Sequence, residues 1–376
     1  MIRQPFFAFS LCVVLLLGCK TKQPVFEREV LGTVIEEAKR PKNIILMIGD
    51  GMGMGQITAG TYMNNNTSNL ERFSVVGLHK PYAADNVITD SAAAATAFAC
   101  GVKTHNLAIG VDKDDRKAET ILEYAESKGL STGLIATSSI THATPASFIA
   151  HNPYRKNYED IAENFLDTEI DFFAGGGKKY FDRREKDERN LIDELKEKGY
   201  TIMDQLTEFS DARLSMQESK CFGYFTADGE PLSVEQGRDY LEPVTMASLN
   251  YLKQKSDDNG FFLMVESSQI DWGGHANNSD WIIQEFKEFN SVIGRVLSWA
   301  ESDEETLVIV TADHETGGYT IQPGSTMDTL QTAFTTEKHS GDFIPVFASG
   351  PQAELFSGIY ENTAIFHKMK EAWELD

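Results

Sequence analysis

The chain has 376 residues, enough to bury a large core as one big α/β domain or two smaller ones. Its hydrophobic share of 41% and charged share of 24% are ordinary for a globular protein, but the formal net charge is −23. That acidity argues against nucleic acid or an anionic membrane as a primary partner. An anionic substrate would have to be drawn in by local positive charge, from metal ions or an arginine.

The chain opens with "MIRQPFFAFSLCVVLLLGCK", one early arginine followed by an apolar run from Pro5 to Gly18. The run is too short and wrongly flanked for a spanning helix and reads as a signal peptide over residues 1–18. Its end, Leu16-Leu17-Gly18-Cys19, resembles a bacterial lipobox, in which the cysteine becomes the lipidated first residue of the mature protein. Several acyl chains on Cys19 would anchor stably, since two or more are needed for that. Residues 19–41 are polar, carry Pro24 and Pro41, and read as the lipidated cysteine and a tether ahead of a fold spanning 42–376. Within that fold the cysteines are Cys100 and Cys221, which either pair in an oxidising compartment or stay as buried free thiols.

From residue 43 onward short apolar runs alternate with amphipathic helical patterns. Expected strands are Asn43–Ile48, Thr132–Thr137, Asp171–Ala174, Phe261–Glu266, Thr306–Thr311 and Ile344–Ala348. They lack polar alternation, as strands covered on both faces do. Helical patterns lie near 118–128, 158–166, 187–198, 240–256 and 279–300, with apolar residues at three- and four-residue spacing. The expectation is a single α/β domain with a central, largely parallel sheet and helices on both faces. Such sheets bind ligands at the carboxyl ends of their strands.

Those ends carry the polar residues. The first strand runs into Asp50, the second leads to His142 and Thr144, the fourth ends in Glu266 and leads to Asp271 and His275, and the fifth is followed by Asp313 and His314. Four strands thus deliver oxygen and nitrogen ligands to one edge. Mixed Asp/His sets suit zinc, and an all-oxygen set such as Asp50, Thr144 and Glu266 suits magnesium. A nucleophile is available in "VITDSAAAATAFACG", where Asp90-Ser91 precedes a run of small helix formers. Ser91 then sits at a helix N-terminus, which favours an anion through unpaired N–H groups and the helix dipole, although capping the helix needs the same geometry.

The segments "IGDGMG", "TDSAAAATAFACGVKT", "THATPASFIAH", "VESSQIDWGGHANN", "LVIVTADHETGG" and "EKHSGDFIPVFASGP" together resemble the motif series of the alkaline phosphatases, in the family's order over roughly residues 42–351. The finer resemblance is to the compact, cold-active-type bacterial enzymes. The resemblance implies hydrolysis of small phosphate monoesters through a phosphoserine on Ser91, two zinc ions and one magnesium per subunit, and a homodimer. Motif by motif, it implies that Asp271, His275 and His339 hold the first zinc and that Asp313 and His314 hold the second. Asp50 would bridge the second zinc and the magnesium, whose other ligands would be Thr144 and Glu266. Arg155, in "AHNPYRKN", would clamp phosphate in preference to Arg183 or Arg184, and Asp90 would orient it.

Two positions depart from the best-known bacterial form. His142 replaces an aspartate of the magnesium shell and is expected to reach the metal through water, with direct ligation as the alternative. Trp272 replaces a lysine that reaches phosphate through water, so phosphate retention is expected to be weaker. His79, His105, His151 and His367 lie outside the metal motifs and read as structural or surface residues. A sulfatase is disfavoured because no cysteine begins the required C-x-P/A-x-R stretch and Ser91 is followed by four alanines. A phosphodiesterase of the same superfamily, or a non-catalytic phosphate- or metal-binding lipoprotein, are the remaining alternatives. The signal implies a periplasmic or cell-surface protein, lipid-anchored to the outer membrane and touching membrane through that anchor alone.

Overall fold

The computed structural model describes Met1 and residues 39–206 and 221–373. The expected signal peptide, Cys19 and most of the tether lie outside the described residues. Fourteen strands are described: β1 (Asn43–Gly49), β2 (Val75–Lys80), β3 (Ser131–Ser139), β4 (Phe172–Gly176), β5 (Tyr200–Met203), β6 (Cys221–Phe225), β7 (Phe261–Ser267), β8 (Thr306–Thr311), β9 (Glu315–Thr316), β10 (Thr320–Ile321), β11 (Thr332–Ala333), β12 (His339–Ser340), β13 (Ile344–Ser349) and β14 (Gly358–Glu361). Ten of them form one sheet in the order β14-β2-β13-β8-β1-β7-β3-β4-β6-β5. Every pairing is parallel except the two made by β13, which runs antiparallel between β2 and β8.

All six expected strands are present, and all seven residues of β1 and of β7 are buried. Covering both faces removes any pressure for polar alternation, which is why their sequences are continuous apolar runs. Ile44, Leu46 and Ile48 pack on one side with the helices Ser91–Cys100, Ile121–Ser127 and Ala364–Trp373. Ile45 and Met47 pack on the other with Met54–Tyr62, Leu241–Lys255 and the 25-residue helix Ser279–Asp303. The strands not anticipated, β2, β5, β6 and β14, flank the sheet and read VVGLHK, YTIM, CFGYF and GIYE. These stretches are short, and in β2 and β6 glycine interrupts the run, leaving too little apolar length to signal a strand. Cys100 and Cys221 are free thiols.

Strand order is what assembles a site. The four strands whose carboxyl ends carry ligand-type residues, β8, β1, β7 and β3, are consecutive at the centre of the sheet. Their registers align Thr311 with Ile48, Ile48 with Glu266 and Glu266 with Ala136, so the four carboxyl ends share one edge, with β3 running on to Ser139. Past β7, the helix Gln269–His275 puts Asp271 and His275 one turn apart on the same face. The small antiparallel ladder β9–β12 pairs Thr316 with His339 and so carries His339 in from a distant part of the chain.

Candidate active site

The turn after β1 brings Gly51 into left-handed backbone at φ 70°, and a Cβ there would meet Asp271 Cα at 2.7 Å and Thr316 Oγ1 at 2.8 Å. Only glycine fits, and the Gly51 N–H then donates to Asp313 Oδ1 at 3.1 Å, tying the ends of β1 and β8 together. Gly273 and Gly274, by contrast, are both helical and neither has positive φ. Close packing explains them instead: a Cβ on Gly274 would lie 2.8 Å from Thr316, and one on Gly273 would lie 2.9 Å from the Ile282 nitrogen.

Ser91 is the first residue of the helix Ser91–Cys100, all ten of whose residues are buried, with small alanine side chains allowing close approach. Asp90 caps this helix through Oδ1, which accepts from Ala93 N–H at 3.0 Å. Its other oxygen accepts from Arg155 Nη1 at 2.9 Å. The two oxygens of one carboxylate thus cap the helix and orient the arginine. Arg155 also reaches His142 Nε2 at 3.3 Å through its second terminal nitrogen. Arg183 and Arg184 are engaged elsewhere, in ion pairs with Asp182 and Asp228, and with Glu163 and Asp187.

Three histidines turn the same ring nitrogen towards the acids, and one of them, His314, towards Ser91 as well. His275 Nδ1 lies 2.6 Å from the Glu337 carbonyl, and His339 Nδ1 lies 2.8 Å from the Thr89 carbonyl. A carbonyl only accepts, so each Nδ1 carries the hydrogen and each Nε2 presents a lone pair. For His314 the logic runs through Thr316. Thr316 Oγ1 is 2.5 Å from Asp271 Oδ1, a distance at which the hydroxyl donates to the carboxylate. With its one hydrogen used, the same oxygen accepts from His314 Nδ1 at 3.2 Å. The bare His314 Nε2 then lies 3.1 Å from Asp313 Oδ2, 3.5 Å from Asp50 Oδ1 and 3.3 Å from Ser91 Oγ.

The remaining Nε2 atoms confront one another: His339 and His275 are 3.2 Å apart, and Asp271 lies 3.6 Å from the first and 3.3 Å from the second. Lone pairs and carboxylates at such distances, with every ring hydrogen already committed, need a cation between them. The same holds deeper in. Both oxygens of Asp50, Glu266 Oε1, Asp313 Oδ2, Thr144 Oγ1 and His142 Nδ1 are buried without a hydrogen-bond partner in the protein. Three sets of ligand atoms lie within 4.8 Å of one another: Asp271, His314 and His339; Asp50, Asp313 and His314; Asp50, His142 and Glu266. The residues present therefore fit bound metal. His142 stands within ligand distance of the third set, closer than its expected position beside the ligands requires, and Trp272 packs edge-on against its ring at 6.3 Å.

Electrostatics point the same way. Burial, reinforced by neighbouring acids, raises Glu266 to about 8 and Asp313 to about 7, and pushes Asp50 well above the carboxylate range. Burial, followed by the charge of Arg155, lowers His142 to about 3, and burial holds His314 well below its ordinary value. Without cations these acids resist ionisation and these histidines resist protonation.

Sequence reasoning missed the supports. Thr316 shares a face with His314 at strand spacing, which was the available signal. His79, read as structural, has its Nε2 2.9 Å from the Ala312 carbonyl, immediately before Asp313, and so steadies that turn. A cavity of about 500 Å³, lined by Ile88, Thr89, Asn106, Lys338, His275 and His339 among others, opens beside the two histidines.

Comparison with known proteins gives a consistent answer. The family described as "Alkaline phosphatase" matches residues 41–333 and 326–375. Alkaline phosphatase 3 of Bacillus subtilis is 40% identical over 317 residues, 81% of this chain and 67% of that protein. Alkaline phosphatase 4 of the same organism is 42% identical over 297 residues, 74% of this chain and 62% of that protein. This chain thus spans roughly two thirds of the length of these relatives. The solved structure of alkaline phosphatase from the Antarctic bacterium TAB5 superposes with a TM-score of 0.86 at 43% identity, covering 90% of this chain and all of that one.

Proposed function

This chain belongs to the alkaline phosphatase family, and from that premise we propose that it hydrolyses phosphate monoesters to an alcohol and inorganic phosphate, with Ser91 as the nucleophile. The observation that carries the reading is the Ser91 hydroxyl 3.3 Å from the bare Nε2 of His314, which belongs to a cluster of histidines and partnerless buried acids. Asp271, His275 and His339 would hold one zinc, and Asp313, His314 and Asp50 a second. Asp50, Thr144 and Glu266 would hold magnesium, with His142 beside it. Two solved variants of the TAB5 enzyme, in which a histidine is changed to Asp or to Glu, have magnesium bound in their M3 site, which supports magnesium as the third metal. Bound metals would supply Lewis acidity that lowers a hydroxyl pKa and neutralises charge on phosphate oxygens.

The chain's own residues do the rest. Ser91 Oγ attacks phosphorus and the bond to the leaving alcohol breaks, giving a phosphoserine that water then cleaves. Arg155, oriented by Asp90, offers two parallel N–H donors to non-bridging phosphate oxygens. The N-terminal amides of the helix that Ser91 begins face the same anion. The cavity beside His275 and His339 gives the leaving alcohol room.

The test compares a phosphate monoester, a diester and a sulfate ester as substrates for wild type and Ser91→Ala, with metal content measured on the same samples. Monoester turnover by wild type alone supports the reading; no monoesterase activity in metal-loaded wild type overturns it. The stretch ending at Cys19 supports a lipoprotein of the periplasm or cell surface, anchored to the outer membrane. Cys19→Ala should move the protein from the membrane to the soluble fraction. A homodimer is the corresponding proposal for assembly, checked by sedimentation.

A further inference from the structure

Eight non-glycine residues among those described have positive φ: Asn65, Asn66, Leu107, Asp115, Asp257, Asn277, Glu304 and Gln352. Seven are polar, most of them the Asn and Asp that tolerate this backbone. Leu107, at φ 76°, is the aliphatic exception. Core packing does not account for it, since the residue is 40% exposed. A bulky side chain in left-handed backbone persists only where the surroundings over-determine it.

The surroundings are the phosphate clamp. Leu107 N–H donates to Asp90 Oδ2 at 3.1 Å, the oxygen that also accepts from Arg155 Nη1. The Leu107 carbonyl accepts from Arg155 N–H at 2.8 Å. One residue therefore ties the Asp90 carboxylate to the Arg155 main chain and closes a ring through the guanidinium. Its neighbours are pinned on both sides. Asn106 accepts from Asp90 N–H at 2.9 Å and donates to the Ile88 carbonyl at 3.0 Å, and Ile109 exchanges two 2.8 Å backbone bonds with Asn152. Returning Leu107 to an ordinary φ near −65° would rotate its N–H against its carbonyl by roughly 140°, so both bonds could not survive.

We propose that Leu107 is a positioning residue for phosphate binding, its left-handed backbone setting the separation and orientation of Asp90 and Arg155. The proposal rests on the reading of Arg155 as the phosphate clamp, and it concerns the backbone rather than the leucine side chain.

Inhibition of the metal-loaded enzyme by inorganic phosphate tests it, using Leu107→Gly and Leu107→Val with and without Asp90→Ala. Glycine adopts positive φ freely, so the phosphate Ki of Leu107→Gly should stay within about twofold of wild type. A β-branched valine disfavours this backbone, and loosening a charge-assisted contact should raise Ki about tenfold with metal content unchanged. The factor caused by valine should shrink in the Asp90→Ala background, because part of the effect passes through that carboxylate. A role confined to folding would lower the melting temperature and leave Ki alone. Wild-type Ki in Leu107→Val, an equal factor in both backgrounds, or a loss in Leu107→Gly matching that in Leu107→Val would each overturn the proposal. If Leu107→Val does not accumulate as folded protein, the glycine variant decides: a retained Ki supports the inference and a fivefold or greater rise rejects it. Wild type without monoesterase activity would instead overturn the reading of the site itself.

Discussion

Replacing Thr316 by valine removes one hydroxyl and little else, because the two side chains have nearly the same shape and Thr316 is fully buried. That hydroxyl donates to Asp271 at 2.5 Å and accepts from His314 Nδ1 at 3.2 Å, so a single atom supports ligands of both proposed zinc sites. A hydrogen bond to a charged group is worth about 1.5–3 kcal/mol. Losing an outer partner of a metal ligand commonly costs about 10–100-fold in affinity, which is about 1.4–2.7 kcal/mol and agrees with that range. Thr316→Val should therefore give up zinc to a competing chelator at about 10–100-fold lower chelator strength than wild type. Thr316→Ser, which keeps the hydroxyl, should remain close to wild type. The assay is an equilibrium zinc competition on folded protein, with the metal-free melting temperature as a control for stability. Wild-type zinc affinity in Thr316→Val would refute the reasoning, since neither ligand would then depend on the shared hydroxyl.

Trp272→Lys would add a positive charge beside His142, against whose ring the tryptophan packs; product inhibition by phosphate should strengthen several-fold, and unchanged inhibition in progress curves would count against the assigned role. Glu266 and Asp313 have folded pKa values raised to about 8 and about 7, so their contribution to metal-free stability is full below the unfolded carboxylate range and is lost as pH rises through those values. Below about pH 6.5 the depressed His142 and His314 pull the other way, because the unfolded chain then binds more protons. Above pH 6.5 the raised acids act together with His105, which its bond to Asp115 also holds above its ordinary value, so the melting temperature of chelator-treated protein should fall with rising pH while the metal-loaded protein stays flatter. Arg238→Met would strand the fully buried Glu285, which pairs with that arginine together with Glu288, and should cost about 3–5 kcal/mol in urea unfolding. Adding Glu285→Leu should recover part of the loss.

Much of the site was legible because its residues are local punctuation. Asp50, Glu266 and Asp313 each stand at or just past an apolar run, and a run ending in an acid reads the same in sequence and structure. Asp271 and His275 were legible as ligand-type residues just past a strand, but the helix Gln269–His275 that puts them on one face was not expected, and its glycines serve packing. That Arg155, and not Arg183 or Arg184, reaches Asp90 has a reason invisible in sequence: the other two are engaged by acids such as Asp228 and Glu163 that approach from other parts of the chain.

The sequence by itself determined six strands of the sheet, that both of their faces are covered, and which side chains leave the strand ends, because these follow from short-range apolar periodicity and from residue chemistry. Tertiary structure alone decided that β8, β1, β7 and β3 are neighbours, that β13 is the antiparallel strand, and that the β9–β12 ladder delivers His339 to His275 across 64 residues of chain. It also decided that Thr316 serves two histidine–carboxylate sets and that Leu107 adopts left-handed backbone between Asp90 and Arg155. Those outcomes depend on partners distant in the chain, brought together by burial of the whole sheet, and no local pattern encodes which partner arrives.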